Sequence, residues 1–211
     1  MTDLLRVAVL AAAAGCLAAL LGQAVRLRRR GMPALHAEPA GSASRGIRYA
    51  FTAGMAPGAK ESATRNPWSY GAGLVYHLGV FAALALLGFR LAAPAAQPPL
   101  APVWGAAVAA GLLAGIALLA KRAGSAALRA ISCPDDFGAN LLVDLFLGIT
   151  AASLLAPALA PAVFGAAILL FAYIPLGKIR HCFFFFYCRA MLGAFMGRRG
   201  ALPPGGANRR V

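Results

Sequence analysis

Five stretches of this chain run almost free of charge for about 18–25 residues, the length at which an α-helix crosses the hydrocarbon core of a bilayer. They fall at 7–25, 69–89, 103–120, 137–155 and 162–183, separated by segments where Arg, Gly and Pro collect. Runs such as Leu10 to Leu21 lack the apolar/polar alternation of a barrel strand, and an isolated polar backbone cannot face lipid, so the spans must be helices. The pattern predicts an all-α fold: an integral membrane five-helix bundle forming one domain over residues 1–211. A composition of 61% apolar and 12% charged residues agrees with it.

Charge then sets the orientation. The first connection (26–67), the third (121–129) and the stretch from Lys178 onward carry all of the 20 Lys and Arg residues except Arg6 and Arg90. By the positive-inside rule these three regions are cytoplasmic, which puts the N-terminus outside and the C-terminus in the cytoplasm. The net charge of +14 therefore reads as topology and attraction to anionic lipid headgroups in a cytoplasmic (inner) membrane of a bacterium or archaeon. Nucleic-acid binding is not expected, because no soluble basic domain exists to carry it. Ala13-Ala14-Gly15-Cys16 resembles a lipoprotein cleavage box, but the apolar run continues to Val25 and the strong charges follow it. A secretory signal carries its charge in front, so the first helix is expected to be retained.

Less follows from the connections and cysteines. Residues 26–67, rich in Gly, Ala, Ser and Arg, are expected to be partly irregular and partly laid along the membrane surface around Tyr49 to Met55, with disorder the alternative. The tail 198–211, with its Pro203-Pro204-Gly205-Gly206, reads as a flexible end. Cys133, Cys182 and Cys188 fall on the reducing side and Cys16 within the first helix, and no CxxC pair occurs. Neither a zinc site nor a cluster of the chain's own is expected, and any iron–sulfur centre would belong to a partner.

Only three histidines occur. His77 lies in the second span and His181 at the end of the fifth, and the predicted topology threads these spans in opposite directions, which brings both to the inner leaflet. Two imidazoles at one level can clamp a haem iron, and bis-histidine ligation suits electron transfer because both axial positions are filled. Gly73 and Gly177 stand four residues before the two histidines, on the same stripe of an uninterrupted helix, where a flat macrocycle needs clearance. Ordinary structural roles are the competing reading: an interhelical hydrogen bond for His77, and for His181 an interfacial site beside Lys178 and Arg180. His36 reads as a plain surface residue.

The stretch Tyr76-His77-Leu78-Gly79-Val80-Phe81, followed by Pro175-Leu176-Gly177-Lys178-Ile179-Arg180-His181, resembles the two haem-bearing helices of the nitrate reductase gamma-subunit superfamily. That superfamily includes cytochrome b subunits of sulfite-reduction-associated and heterodisulfide reductase complexes. Ser132-Cys133-Pro134-Asp135-Asp136-Phe137 is similar to the entry of the fourth helix in some members. Two-haem members carry further histidines where this chain has Leu87 and a position near Val163. The resemblance therefore implies a single haem b held by His77 and His181, in a subunit passing electrons between a membrane quinone and a cytoplasmic iron–sulfur protein. A haem-free membrane anchor or assembly subunit of such a complex is the alternative.

The remaining candidates follow from type and place. Asp144 and Asn140 share a face of the fourth span and could form a quinone or proton site, or Asp144 could pair with a basic side chain to hold helices together. Lys60, Arg65, Lys178 and Arg180 could meet haem propionates or snorkel to headgroups. Asp135 and Asp136 are expected to cap the fourth helix. The aromatic run Phe183 to Tyr187 reads as an interfacial anchor. Gly111 and Gly115 form a G-x-x-x-G that would pack against another helix of the same chain or, in a homo-oligomer, a second copy.

Overall fold

The computed structural model describes residues 2–31, 36, 38–93, 96 and 98–202, and among these it is helical with no strand. The helices are α1 (Thr2–Arg29), α2 (Ala43–Phe51), α3 (Glu61–Arg65), α4 (Pro67–Ala92), α5 (Ala101–Gly124), α6 (Ala126–Ala130), α7 (Pro134–Leu155), α8 (Ala160–Tyr173) and α9 (His181–Arg198). The Pro203-Pro204-Gly205-Gly206 stretch expected to be a flexible end lies outside the described residues, as do residues 32–35 and 37 of the first connection. Among the described residues, four helices are long and apolar enough to cross a membrane: α1, α4, α5 and α7. A fifth span exists only if α8 and α9 are taken together across a break. The protein is a helical, multi-pass membrane protein.

That break corrects the expected helix over 162–183. α8 ends at Tyr173, residues 174–177 form a turn, and a short 3-10 segment, Lys178–Arg180, leads into α9. Pro175 has no N–H to continue the ladder, and the amides of Leu176 and Gly177 both return to the Tyr173 carbonyl, each at 2.9 Å. The other spans keep their expected positions; α1, α4 and α5 extend past both ends of the apolar run, and α7 past its start. α7 begins where its sequence directs it: Pro134 occupies the first turn, where a missing N–H costs nothing, and the Asp136 carboxylate accepts from the Cys133 amide at 2.9 Å.

The chain divides into two compact units, Met1–Ala19 with Trp68–Ile179, and Leu20–Pro67 with Arg180–Val211. The first is a helix bundle whose interior is filled by Val9, Leu86, Val108, Phe146, Leu147 and Val163, all with 1% exposure or less. Its outward faces carry Leu74, Leu78, Phe81, Val103, Leu113 and Leu141, as a lipid-bathed bundle requires.

The second unit exists because the first connection is more ordered than its composition implies. α2 lies against α9, and the two backbones approach at Gly46, Gly193 and Gly197. A Cβ at Gly46 would stand 2.7 Å from the Gly197 Cα, so only glycine permits the contact. Ser42 caps α2 through the Arg45 amide, and Arg189 of α9 donates to the Ala50 carbonyl at 2.8 Å and the Gly54 carbonyl at 2.9 Å, at the other end of the helix. Phe51 stacks on Phe186 with ring centroids 6.4 Å apart. The segment expected to lie along the membrane surface around Tyr49 to Met55 thus comprises the end of α2 and a 3-10 turn, Ala53–Met55.

Candidate functional site

His77 sits about 15 Å along α4 from Pro67, at 1.5 Å per residue, deep in an apolar helix. It is exposed, on the face shared by Leu74, Leu78 and Phe81, which are 57–65% exposed. Its Nδ1 lies 2.6 Å from the Gly73 carbonyl oxygen. A carbonyl can only accept, so Nδ1 carries the proton; in the neutral imidazole the lone pair then falls on Nε2, as it does in a histidine that ligates a metal through that atom. Nothing stands within 4 Å of where a Gly73 side chain would be. The ring of Tyr76 meets the imidazole edge-on, centroids 6.3 Å apart.

His181 opens α9 and is exposed; His36 is an exposed residue at a bend. Gly177 does not stand one helical turn before His181 as the sequence suggested, because it belongs to the turn that follows α8. The space left by its missing side chain is filled by the ring of Tyr173, which a Cβ would overlap. Two of the four basic residues expected beside propionates are ion-paired within the chain: Lys178 Nζ with Asp136 at 2.7 Å, and Arg65 with Glu61 at 2.7 Å. Arg180 lies at the N-cap of α9, and Lys60 closes the 3-10 turn Pro57–Ala59.

Asp136 therefore caps α7, as expected, and also meets Lys178 and, at 3.7 Å, Arg122 of α5. Asp135 departs from the capping role. One of its oxygens accepts from the Tyr173 hydroxyl and the other from the Lys178 amide at 2.8 Å. The two aspartates together tie the start of α7 to the residues that follow α8.

Asp144 and Asn140 come together, and Tyr76 joins them. The Asn140 amide nitrogen lies 2.8 Å from Asp144 Oδ2, 3.2 Å from the Tyr76 hydroxyl and 3.4 Å from the Gly115 carbonyl; the Tyr76 hydroxyl donates to the Asn140 carbonyl at 3.2 Å. Asp144 is only 6% exposed, and its Oδ1 has no hydrogen-bond partner among the described residues. It accepts from the Asn140 amide of its own helix, and the ion pairs among the described residues do not include it, so the ion-pair alternative is not seen there. Gly115 packs against this carboxylate and the Tyr76 ring, and Gly111 against Gly79 of α4. The G-x-x-x-G face thus packs against another helix of the same chain, one of the two partners its sequence allows.

Sequence reasoning left Tyr76, Tyr173, Gly79 and Arg189 without roles. Tyr76 could have been noticed as the polar residue beside His77, and Arg189 as the charge interrupting an apolar helix. The chain matches no protein-family model, no curated protein and no solved structure.

Proposed function

We propose that this chain is the membrane subunit of a quinone-linked respiratory oxidoreductase, carrying one haem b between His77 and His181 and relaying electrons between the quinone pool and a cytoplasmic iron–sulfur partner. In this reading it is not a complete enzyme, and it resembles nitrate reductase gamma subunits in role. Its orientation, N-terminus outside and C-terminus cytoplasmic, follows from the charge distribution. The observation that carries the reading is His77: an imidazole exposed among leucines on a spanning helix, its Nδ1–H held by the Gly73 carbonyl. Ionisable side chains are scarce in spanning segments and are retained there for function.

A bis-histidine haem, when bound, supplies one-electron exchange with no open coordination position. The chain's part is to hold the His77 tautomer through Gly73 and to leave the space over Gly73 clear. Asp144, closed in by Tyr76 and Gly115, is too buried to touch a quinone ring directly, whereas Asn140 is only half-buried. Their place in the reading is to hold or pass a proton inside the bundle as quinone changes redox state.

A haem-free anchor is the second reading, and the Tyr173 ring filling the space beside Gly177 is the observation that favours it. A pyridine haemochrome assay on the purified chain separates the two. One haem b per chain is expected, with the low-spin spectrum lost in His77→Ala and in His181→Ala and kept in His36→Ala. Two haems per chain would overturn the single-haem assignment, and none would support the anchor.

A further inference from the structure

The foot of α1 carries a concentration of charge that the reading above does not use. Gln23, Arg26, Leu27, Arg30 and Arg180 line an open cavity of about 410 Å³. Positions 23, 26, 27 and 30 recur at helical spacing, so their side chains leave α1 and its last turn on one face. No acidic residue lines the cavity, and the ion pairs among the described residues engage none of these three arginines.

Three guanidinium groups facing one cavity repel one another. The partial negative charge at the C-terminal end of α1, about half an elementary charge, offsets only part of this. An anion completes the balance. Guanidinium presents a planar fork of N–H donors that matches phosphate oxygens two at a time, and the three side chains together suit a tetrahedral anion better than a single planar carboxylate. Location selects the source. The cavity lies at the end of a 27-residue apolar helix, Asp3–Arg29, at the level where a spanning helix meets headgroups, and its Leu27 side offers an apolar wall.

We infer that Arg26, Arg30 and Arg180 form a binding site for the phosphate of an anionic phospholipid headgroup. The site is independent of the haem reading and draws Arg180 away from a role beside propionates.

The test uses the full chain purified in a neutral detergent, with short-chain phosphatidylglycerol, phosphatidylcholine and inorganic phosphate as separate probes. Native mass spectrometry reads retention and thermal unfolding reads stabilisation. Phosphatidylglycerol should stay bound and raise the unfolding midpoint, while the other two probes have little effect. Arg26→Gln, Arg30→Gln and Arg180→Gln should each weaken retention about tenfold, the loss of one charge-assisted contact. Arg28→Gln with Arg29→Gln, which together remove one charge more than any single cavity variant from the end of α1 outside the cavity, should leave it unchanged. Equal retention of phosphatidylcholine, equal stabilisation by inorganic phosphate, or equal loss in the Arg28/Arg29 variant would each overturn the assignment. So would a fall in haem content in the three cavity variants, which would return these arginines to the propionates.

Discussion

Alanine at Gly79 adds one methyl group where α4 crosses α5. The new Cβ would stand 2.6 Å from the Gly111 Cα and 3.0 Å from the Ala107 carbonyl oxygen, whereas carbon atoms prefer about 3.5–4.0 Å. Both neighbours are backbone, so relief means moving the two helices apart by about 1 Å rather than turning a side chain. Overpacking of this kind costs about 1–3 kcal/mol. Alanine recovers about 1 kcal/mol of helix propensity, which leaves a net loss of up to about 2 kcal/mol. Gly88 lies on the same helix with nothing within 4 Å of its added Cβ. There only the propensity gain applies, and Gly88→Ala should stabilise by up to about 1 kcal/mol. Unfolding in mixed micelles, followed by circular dichroism, compares the two. Opposite signs are expected, with Gly111→Ala resembling Gly79→Ala and the double substitution costing less than the sum, since one separation of the helices serves both. If Gly79→Ala and Gly88→Ala stabilise alike, the backbones do not meet at this crossing and the reasoning fails.

Arg189→Met removes both hydrogen bonds at the end of α2 while keeping the aliphatic length of the side chain. It should cost about 3 kcal/mol, the low end for two bonds from a charged donor, and hydrogen exchange should rise in the amides of α2 while those of α7 stay unchanged. Topology is checked by fusions: a reporter active only in the cytoplasm should work after Val211 and fail near Gln97, and the reverse pattern would remove the argument that places both histidines in the inner leaflet.

Hydropathy alone located α1, α4, α5 and α7, because a bilayer sets span length directly and a helix is the only open-ended way to satisfy the backbone inside it. The Cys133 to Asp136 entry of α7 was equally legible, since capping depends on residues within four positions of each other. The signals that stop α8, Pro175 and Gly177, stood in the sequence as well, but a window that averages hydropathy passes over a single break in an apolar run. What no local pattern held was which small residues meet. The Gly46 contact with Gly193 and Gly197 orders a connection whose composition looks unstructured, and the Gly79 contact with Gly111 assigns the G-x-x-x-G face to this chain. Asp144 and Asn140 were paired by their spacing, yet Tyr76 and Gly115, which close over them, come from two other helices. Residues close in sequence reveal themselves through periodicity and capping; residues brought together by packing do so only once the helices cross, because glycine and tyrosine look alike on a hydropathy profile wherever they fall.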